Sequence, residues 1–267
     1  MTKLLMVAVV SLVALAAACG GGGQTTRVAS ESASGLVSGP NDEAQATAHL
    51  QAGTTLAGQG LLEEAIVEYD QAILLDSRNA TAYSNRGLAF HNLGKYQRAI
   101  DDYDEAIHLD PEYALAYSNR GNSYSAQGQH QRGVDDYTEA IGISPQYSVA
   151  HYNRGIAFQN LGLHQLAILD YDEVIQLLPS YADAYNKRGA SYKELGQLEL
   201  AVNDYSEAIL LDSENALAFR NRALVFALLG QRQNAQEHLN FAVELGFDSP
   251  SLKEDIEELI EELTRER

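Results

Sequence analysis

The stretch ATAYSNRGLAFHNLGKYQRAIDDYDEAIHLDPEY, residues 80–113, decides the fold because it recurs. Gly60, Gly94, Gly128, Gly162, Gly196 and Gly230 stand 34 residues apart, and so do Ala65, Ala99, Gly133, Ala167, Ala201 and Ala235. A fixed period of this length marks a stack of small units, each of which buries its apolar face only against its neighbours. Within the unit, Tyr83, Gly87 and Phe90 come before the glycine, and Ala99, Tyr103, Ala106 and Ile107 after it. Steps of three and four place each set on one face of a helix. Gly94 between them suits the left-handed residue that ends a helix. The unit reads as helix, tight turn, helix. Pro111, Pro145 and Pro179 fall where second helices must stop, because proline cannot continue a helix interior.

With Ala80 as position 1, the small residue at 8 is Gly87, the aromatic at 11 is Phe90 and the alanine at 20 is Ala99. Tyr103 holds position 24, Ala106 position 27 and Pro111 position 32. At these residues the unit resembles the tetratricopeptide repeat (TPR) family. The resemblance covers repeats at 46–79, 80–113, 114–147, 148–181, 182–215 and 216–249. It implies an all-α fold: a right-handed superhelical solenoid of six TPR helix–turn–helix units, with 250–267 as a C-terminal capping helix. Position 4, aromatic in the family, holds Tyr83, Tyr117, Tyr185 and Phe219 but His151 in the fourth repeat and His49 in the first. In the last repeat Ala223 replaces the glycine, Leu239 the aromatic and Phe247 the proline. Terminal repeats are expected to drift, because one face has no neighbour. Tyr69, Tyr103, Tyr137, Tyr171 and Tyr205 occupy a packing position, so the tyrosine-rich composition reads as core.

Ahead of the repeats, residues 1–18 form a lysine, an apolar run and small residues, the pattern of a secretory signal peptide. Cys19, the only cysteine, follows directly. The run Leu15-Ala16-Ala17-Ala18-Cys19 resembles the bacterial lipobox, in which the cysteine is lipidated, although Ala16 stands where that pattern usually has leucine. The alternative is an ordinary signal peptide cut nearby, leaving a free thiol. Lipidation implies a chain anchored to a membrane of the bacterial cell envelope and facing away from the cytoplasm. Acyl chains contribute about 0.8 kcal/mol per buried CH₂. Residues 19–45, rich in Gly and Ser, read as a flexible tether. The net charge of −19 disfavours nucleic acid and anionic lipid headgroups as partners.

Catalytic chemistry is not legible. The seven histidines share no metal-ligand spacing, and no zinc, phosphate-loop, dinucleotide or nucleophile-elbow motif occurs. Paired acids such as Asp101–Asp102 and Asp135–Asp136 recur with the repeat and read as structural. No enzyme activity, metal or cofactor is expected. A second recurrence is ionic: Arg86, Arg120, Arg154, Arg188 and Arg222 at position 7, and Glu68, Asp102, Asp136, Asp170 and Asp204 at position 23. Pairing each acid with the arginine of the next repeat leaves none over, so inter-repeat bridges are predicted.

Asn85, Asn119, Asn153 and Asn221 recur at position 6, with Lys187 in the fifth repeat. First helices line the inner face of TPR solenoids, so the resemblance places this row along a groove. Asparagine carries a donor and an acceptor, and can pair with a peptide unit of an extended chain without reading its sequence. The row is similar to the asparagine ladder in the TPR region of O-linked N-acetylglucosamine transferase. Asn122, Asn153 and Lys187 also resemble part of the carboxylate clamp of chaperone-binding TPR domains, with Ser118 and Asp183 in place of two basic members. Asn85, Asn119, Asn122, Asn153, Lys187 and Asn221 are the candidate peptide-binding residues. The same asparagines could equally fix helix stacking. The function implied is a membrane-tethered scaffold holding an extended protein or peptide segment. The alternative is an assembly adaptor joining envelope proteins through its outer faces, an architecture similar to TPR lipoproteins of the NlpI type.

Overall fold

The computed structural model describes residues 40–247 together with Glu254, Ile256 and Glu258. Twelve numbered α-helices and no strand occur among the described residues, in six pairs. These are α1 (Pro40–Gly58) with α2 (Leu62–Leu75), α3 (Ala80–Asn92) with α4 (Tyr96–Leu109), and α5 (Ala114–Ala126) with α6 (His130–Ile143). Then come α7 (Ser148–Asn160) with α8 (His164–Leu177), α9 (Ala182–Glu194) with α10 (Leu198–Leu211), and α11 (Ala216–Leu228) with α12 (Arg232–Glu244). The arrangement is a solenoid of helix–turn–helix units. The expected leader, Cys19 and most of the tether lie outside the described residues. The expected tether reached 45, but 40–45 is already helix. Proline at a first helical position costs nothing, and Asp42 and Glu43 in the first turn suit the helix dipole.

Each turn inside a pair is built on the predicted glycine. Gly60, Gly94, Gly128, Gly162, Gly196 and Gly230 have φ of 71° to 80°. At the second turn Gly94 N–H donates to His91 C=O at 2.8 Å and Lys95 N–H to Phe90 C=O at 2.8 Å, the paired bonds of a Schellman ending. A side chain at Gly94 would pay the left-handed penalty for no contact, since open space surrounds its Cα.

Among the described residues consecutive helices pack from α1 to α12, and each odd helix also touches the next odd one, whereas even helices do not touch one another. The odd helices therefore form the inner layer of the curve. The position-24 tyrosines are the core, at 0–2% exposure. Tyr69 packs with Ala89, Tyr137 with Ala157 and Tyr205 with Val225, so each ring is covered from the following repeat. At the far end, residues 254, 256 and 258 are helical. Ile256 is fully buried against Ala223 and Leu239 there.

The arginine–acid ladder pairs within repeats, and the predicted inter-repeat pairing is wrong. Arg86 Nε and Nη2 donate to Asp102 Oδ2 and Oδ1 at 2.9 and 2.6 Å. The same fork joins Arg120 to Asp136, Arg154 to Asp170 and Arg188 to Asp204. The reason is geometric: the antiparallel helices of a pair bring positions 7 and 23 face to face. Counting partners misled because the end repeats substitute other groups. Glu68, with Ala52 opposite, meets His49 Nδ1 at 2.6 Å. Arg222 donates from Nη2 to His238 Nδ1 at 3.2 Å. Burial, with Arg222 adding to it, lowers the His238 pKa to about 4, so the ring accepts as the neutral form.

What crosses the repeat boundary is Nη1. It reaches position 25 of the preceding repeat: Asp70 from Arg86 at 2.5 Å, Asp104 from Arg120 and Asp172 from Arg188 at 2.6 Å. Thr138 and Ser206 accept there from Arg154 and Arg222. Burial alone would lower these guanidiniums, but two carboxylates each hold Arg86, Arg120 and Arg188 above the ordinary arginine range.

Candidate functional site: the inner face

The inner surface is drawn by bonds between neighbouring odd helices. Asn85 Nδ2 in α3 donates to Thr54 Oγ1 in α1 at 3.4 Å. Asn153 Nδ2 in α7 donates to Asn122 Oδ1 in α5 at 3.0 Å. Asn221 Nδ2 in α11 donates to Asn186 Oδ1 in α9 at 3.0 Å. Position 6 thus meets position 9 of the repeat before, and where Lys187 interrupts the row Asn186 supplies the acceptor. Position 12 joins in: Gln159 Nε2 donates to Ser191 Oγ and to the Lys187 carbonyl, both at 2.8 Å. His91 Nδ1 lies 2.9 Å from Ser123 Oγ. Thr54, His91, Gln159, Asn186 and Ser191 were not singled out in the sequence. They stand at positions 5, 9, 10 and 12 with mixed identities, so no recurrence marks them.

The row does not spend itself on stacking. Asn122 Oδ1 accepts from Asn153 and from Tyr137 Oη at 2.7 Å, which fixes the side chain. That leaves Asn122 Nδ2 as a donor and Asn153 Oδ1 as an acceptor, neither with a partner among the described residues. Both side chains line a hollow of about 200 Å³ with His91, Ser125, Ile156 and Asn160. An equivalent hollow of about 250 Å³ opens between α1 and α3, lined by Thr54, Asn85, Leu88 and Asn92. The Asn119 side chain makes no hydrogen bond within the described residues, although its carbonyl accepts from Ser123 Oγ at 3.2 Å.

Three models of tetratricopeptide repeats match the sequence, one at 80–113 and 148–181, one at 53–94 and 189–230, and one at 102–135. Together they span more than half of the chain. The chain belongs to the tetratricopeptide repeat family. Solved TPR structures agree in fold. YrrB, described as a TPR protein with an unusual peptide-binding site, is 23% identical over 71% of this chain and 97% of its own, with a TM-score of 0.62. The pilF protein of Pseudomonas aeruginosa is 16% identical over 85% of this chain and 100% of its own, at 0.69. PilW, a type IV pilus biogenesis factor, is 18% identical over 79% and 98%, at 0.69. At such identities the likeness is one of fold. A comparison with curated proteins gave no match.

In this TPR chain the three clamp-like residues separate. Asn122 and Asn153 are hydrogen-bonded, whereas the Lys187 side chain forms no ion pair among the described residues. Asp183, in place of a basic member, accepts from Tyr152 Oη. Burial and that carboxylate raise the Tyr152 pKa far above the usual phenol value. His151, the odd position-4 residue, is buried, with Nδ1 3.1 Å from Asp170 Oδ1 and Nε2 3.0 Å from the Pro145 carbonyl. Both nitrogens face acceptors, and the bond to Asp170 raises its pKa, which favours the protonated ring. Its contacts are structural. Among the described residues no group of three His, Cys, Asp or Glu could hold a metal. No helix among them is long and apolar enough to cross a membrane.

Proposed function

We propose that this TPR protein is a membrane-tethered interaction scaffold holding an extended partner segment along its inner face. The observation that carries the reading is the Asn122/Asn153 junction. Its fixed amides keep one donor and one acceptor open beside a hollow, the complement of a peptide unit. Asn85, Asn119, Asn122, Asn153, Lys187 and Asn221 are the proposed contacts. The peptide-binding site named for YrrB, on the same fold, supports it. Stacking and recognition share these side chains, and variants separate them. With a peptide selected on the full chain as probe, Asn119→Ala is expected to weaken binding about tenfold with an unchanged melting temperature. Asn153→Ala, which also orphans a contact of Asn122, is expected to weaken binding and cost about 1 kcal/mol. Full binding by both variants would contradict the groove.

The tether belongs to the same proposal. The apolar leader ending at the sole cysteine supports lipid attachment at Cys19, on an envelope membrane. Labelled palmitate is expected to enter the wild type and not Cys19→Ala; equal labelling of the two would refute the anchor. A second reading, an envelope-protein adaptor of the kind that resembles the NlpI type, is favoured by the outer helices. Leu74, Leu169 and Leu210 there are 76%, 59% and 77% exposed. Such an adaptor would capture folded partners and be insensitive to the asparagine variants.

A further inference from the structure

The charge of this protein is segregated. From residue 46 through α7, the acids all lie on even helices or in loops. The only Asp, Glu, Lys or Arg residues of α3, α5 and α7 are the ladder arginines Arg86, Arg120 and Arg154, each turned onto the carboxylate of its even helix. Residues 46–58 of α1 carry none. The inner face of the first four repeats therefore presents hydroxyls, amides, aliphatic side chains and the His91 imidazole, whose pKa burial lowers, inside a chain of net charge −19. Leu88, Leu115 and Val149, on α3, α5 and α7, are 42–49% exposed beside the amides. An ionised side chain entering such a surface would lose water and meet no opposite charge.

The last two odd helices reverse this. On α9 and α11 stand Asp183, Lys187, Lys193, Glu194 and Arg220 besides the ladder. Asp183 is engaged by Tyr152, and Lys193 pairs with Glu194 at 2.8 Å. Three cations on these helices have no acid among the described residues: the ladder's Arg222, which is held by Ser206 and His238, and Lys187 and Arg220. Arg220 is half-buried: Nη1 donates to Asn221 Oδ1 at 2.9 Å, the guanidinium lies 5.6 Å from the Phe247 ring, and Nε is buried with no partner. The Tyr205 hydroxyl is also buried and unpartnered. Asn221 in turn donates to Asn186, next in sequence to Lys187, so Lys187 and Arg220 flank one hydrogen-bonded patch. Burial without a counter-ion lowers the Arg220 pKa, in contrast to the acid-paired Arg86, Arg120 and Arg188.

We infer that the segment held here is uncharged where it crosses α1 to α7 and presents a carboxylate to Arg220 and Lys187 where it reaches α9 and α11. This rests on the groove reading above. Complementarity selects the occupant: an anion relieves a desolvated cation, and charge-assisted bonds to guanidinium are among the stronger available. The carboxylate can come from an Asp or Glu side chain or from a chain end. The patch binds either chemistry.

A display library of random peptides selected on the full chain tests this. The selected peptides are expected to lack Lys, Arg, Asp and Glu over most of their length and to carry an acid at one end. Arg220→Gln and Lys187→Gln are each expected to weaken such a peptide about tenfold at unchanged melting temperature. Neither change should affect the same peptide with its acid converted to amide. Amidating the C-terminus or changing Asp to Asn identifies the source of the carboxylate. Selection of Lys- and Arg-rich peptides, following the net charge, would overturn the inference. If those basic peptides were still lost with Asn119→Ala, the groove itself would stand. Selection of nothing above background would overturn both.

Discussion

Replacing Arg120 by alanine is expected to destabilise the protein by about 3–5 kcal/mol, the range for removing one partner of a buried ion pair. Asp136 is 5% exposed and takes both Nε and Nη2 of Arg120. Without the guanidinium its carboxylate stays buried and unpaired, while Asp104 across the repeat boundary loses its contact too. Burial already pushes the Asp136 carboxyl up, with Arg120 pulling against it. The double variant Arg120→Ala with Asp136→Ala removes the orphan and is expected to regain a large part of the loss. Urea unfolding of the three proteins decides. A single variant as stable as wild type, or a double variant no better than the single, would show that the ladder is not a buried ionic element.

Gly121→Ala is expected to cost about 2 kcal/mol, although alanine is the better helix former by about 1 kcal/mol. A Cβ at Gly121 would lie 2.8 Å from Tyr137 Cε1, inside any real contact distance. The ring cannot yield easily, being 2% exposed and tied through its hydroxyl to Asn122. Gly53, Gly87, Gly155 and Gly189 meet the tyrosines of their own repeats in the same way. The last repeat shows the release: Ala223 packs on Leu239, so glycine and tyrosine are exchanged together. Gly121→Ala with Tyr137→Leu should therefore lose less than the sum of the two single changes. Strict additivity in thermal or urea unfolding would contradict the coupling.

The sequence carried the fold well, because the period registers every repeat at once. Gly94 and its equivalents announced the turns, and Tyr103 and its equivalents the core. Alternation of apolar positions says which face a residue occupies, but not which of two flanking helices it meets. That is why the arginine–acid pairing went astray. Asp70, Asp104 and Asp172 at position 25 hold the cross-repeat bonds, and they passed unnoticed because Thr138 and Ser206 break their series. Ala223 with Leu239 looked like drift and is a coupled exchange. Gly133, in place of alanine, has a local cause, since a Cβ there would lie 2.3 Å from Ser125 Oγ. Of the candidate site, the recurrence of Asn85, Asn119, Asn153 and Asn221 was legible. Of their partners only Asn122 stood out, because Thr54 at the same position 9 differs in type and Asn186 stands at position 5. The segregation of charge on α3, α5 and α7 was present in the letters, but it acquires meaning only once odd helices are known to line the inside.

Partners are proposed to be held on the inner face. A photoreactive benzoyl-phenylalanine at Asn160, exposed at the rim of the Asn122/Asn153 hollow, tests it against the same group at Leu169 on the outer surface of α8. With the full chain in its native cells, a partner is expected to crosslink from position 160 through one short continuous segment, and not from 169. Crosslinks from 169 alone would place the partner on the outer helices and contradict the account.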